Sequence, residues 1–245
     1  MPRQERAERT RELVVRAAAV CFDTTGFAAT SLGDIVETAK VSKGALYFHF
    51  SSKEKLAEAV AARSGADWRG IVRAARTSGG PVLQGLIDMT HCLADRFRHD
   101  VVFRAGLQLC DARRPGEGPH PSPYPSWGRA VALLLARSAR RGELLPGLDL
   151  EQAARMLTAT TAGIEMLSRQ DREWLAAPVV AGMWDALLPA LVPAGQLGRF
   201  RPSGRTAPPA PPRPPAAGAG PREGGPGEPA DPPRRPAERA LGGPA

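Results

Sequence analysis

Apolar residues recur every three to four positions as far as Val192 and lose that rhythm afterwards. Leu13, Val14, Ala17, Val20 and Cys21 line one face of a first helix, which Gly26 ends. Leu32, Ile35, Val36 and Ala39 form a shorter stripe. Ser31, with Asp34 three residues on, opens it at the spacing of a capping box. Ser42 opens another short helix, and Ser51 with Glu54 opens the longer run KEKLAEAVAARSGADW. Beyond Gly80 the same period predicts helices over about Pro81–His99, Val101–Asp111, Ser126–Gly142, Leu150–Gln170 and Ala177–Val192. Pro178 is tolerated in the first turn of the last, where its missing N–H has no helical partner anyway. PGEGPHPSPYP, ending at Pro125, reads as a loop. No stretch alternates in the manner of a strand, so the predicted fold is all-α, with no internal repeat and no heptads.

Composition then divides the chain. More than half of its 25 prolines lie beyond Val192, and RTAPPAPPRPPAAGAG carries too little apolar surface to offset chain entropy. Residues 193–245 are therefore expected to be a disordered tail, solvated rather than docked as a polyproline ligand. The chain has a formal charge of +8. The tail holds eight arginines against four acids, so about half of that charge belongs to it. The remainder favours a polyanionic partner only mildly. Cys21, Cys92 and Cys110 form no CxxC pair and sit in apolar stretches, as buried thiols of a reducing cytoplasm do. No apolar leader follows Met1, and the run Pro178–Val192 is too short to span a bilayer.

The chemistry concentrates in KVSKGALYFHF, Lys40 to Phe50. Two short helices, about Leu32–Lys40 and Lys43–Phe48, are joined by Val41-Ser42, a helix–turn–helix that leaves the second helix open on one side. Ser42, Lys43, Gly44 and Ala45 make a thin, cationic helix start suited to close approach to a phosphate backbone. Tyr47 and His49 can reach phosphates or base methyls, while Leu46, Phe48 and Phe50 are expected to face inward.

TSLGDIVETAKVSKGALYFHFSSKEKL, Thr30 to Leu56, resembles the DNA-binding signature of the TetR family of bacterial repressors. More narrowly, SKGALYFHFSSKEKLAEAV is similar to the γ-butyrolactone receptor branch of antibiotic-producing actinomycetes. The resemblance covers about residues 5–192 and not the tail. It implies a DNA-binding domain over residues 1–55 and a ligand-binding and dimerisation domain over residues 56–192. It implies DNA contacts at Thr30, Ser42, Lys43, Gly44, Tyr47, His49 and Lys53, with Arg3 and Arg6 in an N-terminal arm. Lys40 and Lys55 read as solvated charges. The partners implied are a palindromic DNA duplex, a second copy of the chain and a small apolar effector.

For the effector, the resemblance points to Trp127 as a pocket wall and Thr161 as a hydroxyl for a lactone carbonyl. Leu83, Leu86, Ile87, Leu107, Leu134 and Ile164 are candidate walls, with core packing the alternative for each. Some relatives carry a pocket glutamine where Ser64 stands here, which leaves open whether the effector is a butyrolactone or, as in pseudo-receptors, an antibiotic or its intermediate. Ala159, Ala162 and Gly163, with Met183, Trp184, Leu187, Leu188 and Leu191, supply material for a four-helix dimer bundle or for ordinary core. HExxH, GxSxG and GxxxxGK[ST] are absent, and His91, Cys92 and His99 make no complete ligand set, so neither enzyme chemistry, metal nor cofactor is expected. The alternative is a helical adaptor working through the proline tail, which would have no use for Thr30–Leu56.

Overall fold

A computed structural model describes residues 3–111 and 123–205. Most of the proline loop and the tail beyond Arg205 lie outside the described residues. Those described form α1 (Arg3–Thr25), α2 (Leu32–Ala39), α3 (Lys43–His49), α4 (Lys53–Thr77), α5 (Val82–His99), α6 (Val101–Asp111), α7 (Pro123–Arg140), α8 (Leu150–Ser168) and α9 (Ala177–Leu191). No strand occurs among them, and none of these helices is long and apolar enough to cross a membrane.

The helix starts follow local chemistry. Ser31 Oγ accepts from Asp34 N at 3.2 Å, and the Asp34 carboxylate accepts from Ser31 N at 2.8 Å, closing the capping box. These bonds from Ser31 hold the Asp34 carboxyl below its ordinary pKa. Lys40 ends α2 in the left-handed region (φ 53°), its N–H bonded back to Glu37 and Val36. Ser42 caps α3. The cap of α4 is Ser52, one residue later than the Ser51 expected, and its hydroxyl accepts from Lys55 N at 3.3 Å. At α5 the cap comes from afar: the buried Glu143 carboxylate accepts from Val82 N and Leu83 N, both at 2.9 Å.

Two apolar cores result. One gathers Val14, Ala18 and Phe22 of α1 with Ile35, Leu46, Leu56 and Val60. The other gathers Ile71 and Ala75 of α4 with α5, α7, α8 and α9. The change of core falls inside α4 after Val60, not at the helix start where the expected 55/56 division lies. α6 serves both cores. Ala105 and Leu109 enter the first, while Phe103 and Leu107, on the opposite face, enter the second.

α6 is held tightly. Ser64 Oγ donates to the Phe103 carbonyl at 2.9 Å, and a Cβ on Gly106 would collide with the Ser64 side chain and come within 3.0 Å of Val60 O. Arg104 bridges to Asp23 of α1 at 2.8 Å and donates to Phe97 O at the same distance.

The ordered chain continues past the expected tail boundary at Pro193. A 3₁₀ turn, Ala194–Arg199, leads to a buried Phe200. Gln84 exchanges two bonds with Arg201, at 2.7 and 3.1 Å, His91 Nε2 meets Pro202 O at 2.7 Å, and Arg205 pairs with Asp88 at 3.0 Å. Leu197 and Phe200 anchor this strap on the core, a local apolar signal that the proline-rich average conceals.

Candidate DNA-binding face and effector cavity

α3 stands on α1 and α2 through Leu46 and, just past its end, Phe50, both buried. Successive residues of a helix turn by about 100°, so Phe48 lies about 200° from Leu46 and cannot share its face. Phe48 is in fact 78% exposed, which corrects the inward placement expected for it. Its ring meets His49 edge-on at 5.0 Å. Ser42, Lys43, Gly44, Tyr47 and Phe48 are all exposed, and His49 is half-buried. Ser42 Oγ accepts from Ala45 N at 3.1 Å, which leaves its proton free to donate. Arg3 begins α1, and Arg6 is exposed one turn on.

Thr30 and Lys53 stand apart from that face. Thr30 is 2% exposed, its hydroxyl bonded to Gly26 O at 2.8 Å and to the Thr25 hydroxyl at 2.9 Å. Lys53 Nζ donates to the carbonyls of Phe27, Ala28 and Thr30 at 2.8, 3.2 and 2.9 Å, and lies 4.5 Å from the Phe27 ring centre. These bonds use all three ammonium protons to hold the α1–α2 loop. A contact spanning more than twenty residues leaves no mark in local spacing.

The cavity lies in the second core, with about 60 Å³ unfilled. Trp127 and Thr161 both line it, and Trp127 Nε1 donates to the Thr161 hydroxyl at 2.7 Å. Trp68 of α4 meets Trp127 edge-on at 5.8 Å, and Leu107 and Ile164 complete the apolar wall. Leu83, Leu86, Ile87 and Leu134 are buried in the surrounding core and do not line this cavity. Neither does Ser64, which is bonded at the α4–α6 contact and borders a separate cleft between α4 and α7.

The cavity has a polar end that sequence reading missed. Tyr124 donates to Glu165 Oε2 at 2.6 Å, and Arg169 reaches Oε1 from Nε at 3.1 Å and Oε2 from Nη2 at 3.2 Å. Thr161 and Glu165 on α8 and its C-cap Arg169 are spaced i, i+4, i+8 along one side, a legible signal once Thr161 is placed. Tyr124 was hidden because α7 begins at Pro123, inside what reads as a proline loop.

On α9, Trp184, Leu188 and Leu191 turn inward as core. Gly182, Ala186, Pro189 and Ala190 turn outward, as do Met156, Ala159 and Met166 of α8. Among the described residues no group of acidic, histidine and cysteine side chains could hold a metal ion.

Residues 14–60 match the family model for bacterial regulatory proteins of the tetR family, and residues 81–193 match that for the tetracyclin repressor-like C-terminal domain. The A-factor receptor protein of Streptomyces griseus is 36% identical over 207 residues, covering 84% of this chain and 72% of that protein. The chain belongs to the TetR family. Within the family its structural neighbours include a γ-butyrolactone receptor (ArpA-like protein), with a TM-score of 0.68, 31% identity and coverage of 81% of this chain and 96% of the other. Another is CprB of Streptomyces coelicolor, a TetR-family protein solved with its operator sequence, with a TM-score of 0.65, 32% identity and coverage of 79% and 94%. This TetR-family chain is thus a DNA-binding transcriptional regulator related to the γ-butyrolactone receptors, and its relatives are regulators rather than enzymes.

Proposed function

We propose that this regulator is a cytoplasmic, non-enzymatic repressor that binds a palindromic operator as a homodimer through α3 and is released when a small apolar effector occupies the cavity beside Trp127. The observation that carries the reading is the division of α3, with Leu46 buried in the domain core and Lys43, Tyr47 and Phe48 presented outward. Ser42, Lys43, Gly44, Tyr47, Phe48 and His49 make up the proposed contact surface, with Arg3 and Arg6 added from the first turn of α1 rather than from an extended arm. Thr30 and Lys53 contribute by fixing the loop that carries α2. The outward Gly182, Ala186 and Ala190 of α9 and Ala159 of α8 permit close approach of a second copy, and the exposed Met156 and Met166 supply apolar surface, which together support a four-helix dimer contact.

Ligand pockets typically run to about 300–1,000 Å³. The cavity's 60 Å³ is far below that, so an effector must widen it. Leu107 of α6 forms part of the wall, and the same helix carries Ala105, Leu109 and Arg104 into contact with the DNA-binding core and α1. Widening therefore displaces α6 against α1 and α4 and changes the spacing of the two α3 helices in the dimer. Release needs only that the effector bind the widened state more tightly than the closed one.

The test is binding to the promoter upstream of the protein's own gene, at two salt concentrations, with a γ-butyrolactone or an antibiotic-containing culture extract added. Specific, salt-sensitive binding is expected, released by one of the two additions. Trp127→Ala should keep DNA binding and blunt release. Normal release by Trp127→Ala would place the effector elsewhere.

A further inference from the structure

The polar groups of the cavity are unequal. The Trp127 indole N–H is given to Thr161, whose own proton goes to the Leu157 carbonyl at 2.8 Å. Thr90, also on the wall, repeats the arrangement: it accepts from Trp184 Nε1 at 2.7 Å and donates to Ile87 O at 2.7 Å. A hydroxyl has a single proton, so neither threonine can donate to a ligand without surrendering its bond to a helix carbonyl. A lactone carbonyl arriving at Thr161 finds that donor already used.

Glu165 offers the opposite. Its carboxylate lines the cavity and is only 9% exposed. Oε2 accepts twice, from Tyr124 and from Arg169, whereas Oε1 accepts once, from Arg169 Nε. Each carboxylate oxygen has about two acceptor directions, so one direction on Oε1 is open. A second donor at that oxygen adds a hydrogen bond to a charged acceptor inside the protein, which is stronger than one between neutral groups. The Arg169 guanidinium already bonds both carboxylate oxygens, so a neutral hydroxyl, which brings no second cation beside it, suits this point better than an ammonium. The Trp68 and Trp127 indoles with Phe97 provide aromatic walls. The other N–H groups on the wall are the Trp68 indole and the Arg169 guanidinium, the latter directed at Glu165.

We infer that the effector carries a neutral hydroxyl on an aromatic ring system and that Glu165 Oε1 receives its proton. This makes Glu165 the residue that favours a hydroxylated ring system over the same ring system bearing an acceptor alone. The inference rests on the cavity being the effector site, as proposed above.

Calorimetry with 2-naphthol and 2-methoxynaphthalene, which differ only in whether the oxygen carries a proton or a methyl group, tests it on the full-length protein. Wild type should bind the naphthol about tenfold more tightly or better, the range of a hydrogen bond to a charged acceptor. Glu165→Gln should bring the two ligands to within about twofold of each other, with an unchanged circular dichroism spectrum showing that it folds. Equal affinities in wild type, or a preference that survives Glu165→Gln, would overturn the assignment of Glu165. The cavity reading is judged separately by Trp127→Ala, which should weaken both ligands; if it weakens neither, that reading fails. No binding of either ligand up to its solubility limit overturns both.

Discussion

At the residue scale, neighbours in sequence have opposite duties on α3. Leu46 is fully buried and Phe48 is 78% exposed. Leu46→Ala should cost about 2–5 kcal/mol of stability, as large-to-small core changes do. Phe48→Ala should leave stability within about 0.5 kcal/mol and weaken operator binding. Paired thermal melts and DNA titrations separate the two effects. A large loss of stability on Phe48→Ala would mean that the ring is packed after all. Lys43→Ala should weaken binding and lower the slope of log affinity against log salt by about one, as loss of one phosphate contact does. An unchanged slope would remove Lys43 from the contact surface. Leu46 and Phe50 were legible as inward residues because they are i, i+4. Phe48 is not legible in that way, because its aromatic character argues for burial while its helical phase sets it on the open side.

At the element scale, α6 couples the two cores, and Gly106 sets how closely it meets α4. Gly106→Ala forces its methyl group into Ser64 and toward Val60 O, so about 1–3 kcal/mol of destabilisation is expected. Urea unfolding checks this, and a neutral outcome would show that α4 and α6 can separate freely. The helices themselves were legible in the sequence, because the apolar period and the capping serines are local signals. The role of α6 was not, since VVFRAGLQLC reads as one more amphipathic helix until its partners on both faces are known. The cap on α5 from Glu143 and the hold of Lys53 on the α1–α2 loop were hidden for the same reason: each joins distant segments.

At the scale of the whole molecule, the strap from Pro193 to Arg205 belongs to the folded unit. Ending the chain after Val192 strips Phe200 from the core and removes the partners of Gln84, His91 and Asp88. Loss of the apolar burial alone should lower the melting temperature by roughly 4–12 °C. Ending it after Arg205 should change stability little. Equal melting temperatures for the two truncations would show that the strap is dispensable. Composition placed the boundary at Pro193 because it averages over proline and arginine, and two apolar residues were enough to move it.

The most direct measurement is selection of bound sequences from a pool of random DNA duplexes by the purified full-length protein. Dimeric reading by two α3 helices predicts an enriched palindrome with half-sites about one helical turn, roughly 34 Å, apart. Lys43→Ala should recover the same palindrome at lower affinity, and enrichment should fall when an effector fills the cavity. No enriched sequence, or a site without two-fold symmetry, would contradict the central claim that a pair of α3 helices reads the operator.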